Sequence, residues 1–146
     1  RMKALVQRVE RAKVSVDGEV VGQIGPGLCV LVGVTHDDTS VQAEKMANKL
    51  TKLRIFDDDD GKMNRSVADV DGEILVVSQF TLYADAAKGN RPSYIEAARP
   101  EQAEPLVEEV VAHLRNLEVK VETGRFRAAM KVELVNDGPV TIALEL

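Results

Sequence analysis

The chain is expected to fold as a single α/β domain spanning residues 1–146, a layered α/β/β sandwich with strands, two strand-helix units, then strands again. Its sheets should be mostly antiparallel, with two main helices. Three observations support this. Period-two apolar alternation occupies both ends of the chain, the run Leu28 to Val34 is apolar on both faces, and two stretches repeat apolar residues at helical spacing. A length of 146 residues with 45% hydrophobic content suits one domain with a substantial core.

The elements follow in order. Leu5, Gln7 and Val9, then Val14 and Val16, then Val20 beyond Asp17-Gly18, read as antiparallel hairpins. Gly25-Pro26-Gly27 is a turn, and the two-sided apolar run after it suits a central buried strand. From Asp38 to Leu53 the residues Ala43, Met46, Ala47, Leu50 and Leu53 mark one helix face, with Asp38 or Thr39 as cap. The run Asp57 to Asp60 lacks the alternating ligand spacing of a calcium loop and reads as an exposed turn.

Glu73 to Ser78 is a strand around Ile74-Leu75-Val76-Val77. Tyr83 to Ala98 has no clear period, contains Gly89-Asn90-Arg91-Pro92-Ser93, and reads as a long loop of the kind that often carries function. A second helix starts near Pro100, since proline suits the first helical position, and its stripe is Leu106, Val107, Val110, Val111 and Leu114. Strands at Val119 and Val121, at Met130, Val132 and Leu134, and at Val140, Ile142, Leu144 and Leu146 close the chain.

Composition narrows the chemistry. One cysteine excludes an internal disulfide and a thiolate metal cluster, and Cys29 sits in an apolar run where a buried, inert thiol is expected. His36 and His113 are too few for a multi-histidine metal site, and His36 reads as a solvated loop residue. No metal or organic cofactor is indicated. The net charge of −5 argues against a generally basic nucleic-acid coat; Lys88, Arg91 and Arg99, and separately Arg125, Arg127 and Lys131, are candidate local clusters, which composition alone reads as ordinary solvated faces. No apolar run reaches membrane-spanning length, and Arg1-Met2-Lys3-Ala4 leads into a strand pattern rather than a secretory leader, which predicts a cytoplasmic protein without membrane contact.

Two short stretches carry the chemical interest. Ser78-Gln79-Phe80-Thr81-Leu82 follows a buried strand, a frequent place for a site. Ser78 and Thr81 are chemically able to act as nucleophiles, but no activating base is evident, and a strand end satisfied by two hydroxyls with Phe80 in the core is the plainer reading. Asn136-Asp137-Gly138-Pro139-Val140-Thr141 is a hairpin signal compromised at once by Pro139, which has no N–H to give a return strand. Gly before Pro suits backbone carbonyls presented in a set direction.

Together these stretches resemble the two signature motifs of the D-aminoacyl-tRNA deacylases. The resemblance covers essentially the whole chain, through Gln7-Arg8-Val9, Gly61-Lys62-Met63-Asn64, Arg91-Pro92-Ser93, Thr123-Gly124, Phe126, Ala128 and Met130. Arg65 departs from the apolar residue expected there, which bears on local packing. The resemblance implies an enzyme that hydrolyses the ester of D-aminoacyl-tRNA and releases free D-amino acid and tRNA. It implies backbone N–H groups at Phe80 and Thr81 as oxyanion donors, and Ser78, Gln79, Leu82, Met130, Gly138 and Pro139 as substrate-binding residues. It further implies a homodimer in which a cis Gly138-Pro139 reaches the partner's site as a chiral filter, with Arg8 bracing that loop. An L side chain would be excluded, and glycyl-tRNA would escape the filter. Thr81 as nucleophile and the 2′-hydroxyl of the terminal ribose as assistant remain two accounts, the second preferred. The alternative from another class is a dimeric RNA- or nucleotide-binding module without hydrolysis.

Overall fold

The computed structural model describes residues 1–146, and its element order is β1 (Lys3–Val16), β2 (Glu19–Ile24), β3 (Gly27–Gly33), α1 (Ser40–Lys52), β4 (Phe56–Asp57), β5 (Met63–Arg65), β6 (Glu73–Ser78), a 3₁₀ turn (Phe80–Tyr83), α2 (Pro100–Asn116), β7 (Lys120–Thr123) and β8 (Lys131–Glu145). Strands β2-β1-β3-β6-β7 are neighbours in that order, and β8 pairs with the other edge of β1. The β1 pairings are all antiparallel, whereas β3, β6 and β7 run parallel. Mixed α/β architecture with mostly antiparallel strands and two helices is therefore what the alternation and helical stripes anticipated.

Two apolar clusters explain the layers. Leu28, Val30 and Val32 of β3 and Ile74 and Val76 of β6 face the helices, meeting Met46, Leu50, Val110 and Leu114. Their neighbours Cys29, Leu75 and Val77 face the opposite way, onto Val9, Ala12, Val14 and Ile24. Both faces of β3 and β6 are thus buried, which is why their sequences lack polar alternation. The second layer needs β2 to approach β7 closely. A Cβ on Gly22 would lie 2.4 Å from the Thr123 carbonyl oxygen, so only glycine permits that contact.

Both helices start as their sequences direct. Thr39, rather than Asp38, caps α1: its Oγ1 accepts the Val41 N–H at 3.2 Å, while Gln42 Oε1 accepts the Thr39 N–H at 2.7 Å. Asp38 instead accepts the Thr35 N–H at 2.9 Å. Pro100 is the first residue of α2, and the stripe from Leu106 to Leu114 is buried.

Three expectations are corrected. Residues 3–16 form one long strand, not a hairpin; the first turn comes only at Asp17-Gly18, between β1 and β2. The buried set along it is Ala4, Val6 and Arg8, followed directly by Val9, rather than Leu5, Gln7 and Val9. The phase slips because the ladder to β8 is interrupted between Gln7 and Val9 and again between Val9 and Arg11. Asp137-Gly138 is likewise no hairpin turn. Residues 131–136 and 141–145 both pair with β1, and residues 137–140 bulge from a single strand at the same interruption.

Asp57 to Asp60 belong to a small β4-β5 hairpin whose existence periodicity did not signal. Asp58 organises it, accepting the N–H groups of Asp60 and Lys62 at 2.9 and 3.0 Å and the Asn64 amide at 2.7 Å. The Asn64 and Lys62 hydrogen bonds hold the Asp58 carboxyl below the usual carboxylate range. Arg65, the residue at odds with the expected apolar position, pairs with Asp59 at 3.0 Å in this turn. No helix is long and apolar enough to cross a membrane.

Candidate active site

The site forms where β6 ends. Gln79 donates its N–H to the Val32 carbonyl at 2.8 Å, which prolongs the β3-β6 pairing, and the chain then winds into the 3₁₀ turn. The first bond of that turn runs from the Leu82 N–H to the Gln79 carbonyl at 3.2 Å. The N–H groups of Phe80 and Thr81 precede it and lie outside its ladder, as the first donors of any helical turn must.

A cleft of about 600 Å³ opens in front of this turn, lined by Ser78, Gln79, Phe80, Tyr94, Phe126 and Met130 among others. Phe80 is not a core residue as the plainer reading had it: it is 55% exposed and meets Tyr94 edge to face, with ring centroids 5.1 Å apart. A second cleft of about 500 Å³ adjoins the first across Ser78, Phe126 and Met130, and runs between α2 and the segment after β7.

Of the residues implicated by sequence, Ser78, Gln79, Phe80 and Met130 share the first cleft. Thr81 and Leu82 do not line it. Thr81 Oγ1 accepts a hydrogen bond from the Gln79 side chain, and no carboxylate or imidazole reaches it. The Leu82 carbonyl accepts from Lys3 Nζ at 3.4 Å. That same Lys3 ammonium lies 4.6 Å over the ring of Tyr83, whose phenol is buried without a hydrogen-bond partner. Burial, reinforced by the charges of Asp38 and Glu145, pushes the Tyr83 phenol up from its ordinary range.

Gly138 and Pro139 stand apart from this chain's cleft, exposed on the bulge of β8, and their peptide bond is cis. Gly138 has φ +136°, and a Cβ there would lie 2.7 Å from Val140 Cγ2. Asn136 closes the bulge: its Oδ1 accepts the Val140 N–H at 3.1 Å and its Nδ2 donates to Thr141 Oγ1 at 3.0 Å. Arg8 holds the bulge from below and is buried, not a surface strand arginine. Its Nε donates to the Asp137 carbonyl at 3.0 Å and its Nη1 to the Ile55 carbonyl at 2.8 Å.

Tyr94 is the aromatic residue of the cleft that sequence reasoning missed. It lies in the aperiodic loop, where no period marks a facing side chain; its being one of only two tyrosines was the available signal. The Asp85–Ser93 bridge closes the loop on itself, while the Thr35–Ala97 bridge and a 2.6 Å contact between His36 Nε2 and the Ile95 carbonyl tie it to the segment after β3. Cys29 is buried between layers, and burial pushes its thiol up to about 11, so it is no nucleophile at neutral pH.

A family model described as D-Tyr-tRNA(Tyr) deacylase matches residues 5–145. The D-aminoacyl-tRNA deacylase of Chloroherpeton thalassium is 61% identical over 145 residues, 99% of this chain and 95% of that protein. Those of Symbiobacterium thermophilum and Thermotoga petrophila are 57% and 58% identical over 144 residues, again 99% of this chain, and 95% and 97% of theirs. The solved c-Myc DNA Unwinding Element Binding Protein superposes with a TM-score of 0.92 at 46% identity, covering 99% of this chain and 98% of that one. A probable eukaryotic D-amino acid tRNA deacylase shares the fold, with a TM-score of 0.85 at 16% identity over 99% of both chains. The chain belongs to the D-Tyr-tRNA(Tyr) deacylase family.

Proposed function

We propose that this D-aminoacyl-tRNA deacylase assembles its working site from two copies of the chain, with the Ser78–Phe80 cleft of one facing the Gly138-Pro139 bulge of the other. The observation that carries this reading is the 3₁₀ turn, whose first N–H groups, on Phe80 and Thr81, are free of the turn's own ladder beside a cleft. Ester hydrolysis moves negative charge onto the acyl oxygen as water attacks the carbonyl carbon. Main-chain donors fixed in advance stabilise that charge at no cost of reorganisation. The C–O bond to the terminal ribose then breaks, the departing 3′-oxygen takes a proton, and free D-amino acid and tRNA result.

Chirality is read by main-chain atoms. The carbonyls of Gly138 and Pro139 meet the α-amino group and the chiral centre, so that an L side chain collides with the bulge while a D side chain points away. Arg8 positions the bulge through Asp137. Glycine has no side chain to collide, so glycyl-tRNA passes the same filter. Thr81 lacks a base, and its hydroxyl already accepts from Gln79, which favours assistance by the 2′-hydroxyl of the terminal ribose over a threonine nucleophile. With tRNA as substrate, the enzyme works in the cytoplasm.

The test is incubation with matched D- and L-tyrosyl-tRNA. The D ester should be lost selectively; loss of both esters at one rate would refute the filter, and binding without hydrolysis would favour the RNA-binding module instead. A chain that is monomeric at its working concentration and fully selective would refute the two-copy site.

A further inference from the structure

The segment Arg125-Phe126-Arg127, just beyond β7, separates the two clefts. Arg125 lines one and Arg127 the other, with Phe126 common to both and packed against the main core. Both arginines are exposed, and neither takes part in an ion pair or donates a side-chain hydrogen bond within the chain. Arg8, Arg11, Lys13 and Arg65, in contrast, are each paired. No close ion pair or hydrogen bond within the chain thus fixes either guanidinium.

The backbone adds a second observation. The Ala128 N–H bonds the Arg125 carbonyl at 3.2 Å, closing a turn in which Arg127 has φ +65°, the left-handed region where glycine or asparagine is the usual occupant. An arginine kept in that conformation aims a long cation over the cleft at some cost to the backbone. The α2 wall of the second cleft carries Glu104 and Glu108 with Arg115, whose guanidinium is held by the Val121 carbonyl at 2.9 Å, so the α2 carboxylates repel an anion and Arg125 is the cation of that cleft without a partner in the chain. In a chain of net charge −5, two exposed cations without partners in the chain thus lie on either side of a half-buried ring.

We propose that Arg125 and Arg127 grip successive phosphates of the single-stranded 3′ end of tRNA, which lies across Phe126 so that its terminal ester enters the Ser78–Phe80 cleft. This rests on the deacylase reading of that cleft. Phosphate contacts carry no base information, so the grip serves the 3′ end common to all tRNAs and sets affinity rather than amino-acid selectivity. Arg125 and Arg127 act on binding and take no part in the acyl step.

The experiment measures binding of uncharged tRNA between about 50 and 200 mM salt, together with KM and kcat on D-tyrosyl-tRNA, for the wild type, Arg125→Gln, Arg127→Gln and the remote exposed control Lys45→Gln. Each arginine variant should weaken tRNA binding roughly tenfold and flatten the log-log salt slope by about 0.7, raising KM with kcat retained. Lys45→Gln should keep the wild-type slope. Arginine variants with wild-type affinity and slope, or with kcat lost in place of affinity, overturn the grip. A wild-type protein that leaves D-tyrosyl-tRNA intact overturns the deacylase reading itself, whereas a hydrolysing wild type with unchanged variant slopes overturns the grip alone.

Discussion

Arg8 links the stability of the fold to the geometry of the Gly138-Pro139 bulge, and Arg8→Met separates the two. Methionine keeps most of the stem volume in the core but removes the guanidinium. The Ile55 carbonyl, on a residue only 7% exposed, then loses its 2.8 Å donor, and leaving it unpaired should cost about 1.5–3 kcal/mol. The Asp137 carbonyl belongs to an exposed residue and can be rehydrated, so its 3.0 Å bond adds only about 0.5 kcal/mol. The ion pairs to Asp57 and Asp137, at 3.5 and 3.8 Å, involve carboxylates more than half exposed and contribute a few tenths at most. The sum, about 2–4 kcal/mol, should lower a urea midpoint by about 1–2 M. Function should respond separately: with Asp137 released, the ratio of D- to L-tyrosyl-tRNA hydrolysis should fall by about tenfold, because a misplaced recognition group is costly. Arg8→Lys, which keeps the charge but reaches one carbonyl rather than two, should fall between. Urea unfolding followed by circular dichroism and a deacylation time course measure the two effects. An Arg8→Met protein with the wild-type midpoint and the wild-type D/L ratio would refute this account of the brace.

Gly138→Ala places a Cβ 2.7 Å from Val140 Cγ2 at a φ of +136°, so the bulge must move; kcat/KM on D-tyrosyl-tRNA should drop about a hundredfold, and a value within twofold of wild type would count against the bulge as recognition element. Thr81→Val should retain near-normal kcat if the ribose 2′-hydroxyl assists, while a substrate ending in 2′-deoxyadenosine should be hydrolysed slowly; the reverse pair of results would restore the threonine nucleophile. Cys29 makes stability pH-dependent at the alkaline end: its folded value is raised from 9.0 to about 11, so the unfolded chain ionises first and stability, complete below pH 9, declines by about 1.4 kcal/mol per pH unit toward pH 11. Comparing urea midpoints of wild type and Cys29→Ala from pH 8 to 11 isolates that slope, and parallel curves would refute it.

Helical stripes were legible because they depend on neighbours three and four residues away, the proline start of α2 is local chemistry, and the α1 cap was legible to within Asp38 or Thr39, of which the structure uses Thr39. The two-sided burial of β3 and β6 was legible for a related reason, since a strand covered on both faces shows no polar alternation. The phase of β1 was not legible. Arg8 looks like an ordinary strand arginine until Ile55, just before β4, and Asp137 on the β8 bulge supply carbonyls for it, and those lie 47 and 129 residues away.

By itself, the sequence determined the mixed α/β class, the two helices, the central strands and the two motifs through which family membership was first visible. Each depends on residue type and short-range order. The tertiary structure alone decided which of these residues meet. It put Ser78, Gln79, Phe80 and Met130 around one cleft with Tyr94, set Gly138-Pro139 outside that cleft on a bulge of β8, and buried Arg8 beneath the bulge. The bulge and its contact with Arg8 depend on the register of β1 against β8, and a ladder interrupted twice between Gln7 and Arg11 leaves no periodic trace in the amino-acid order from which that register can be read.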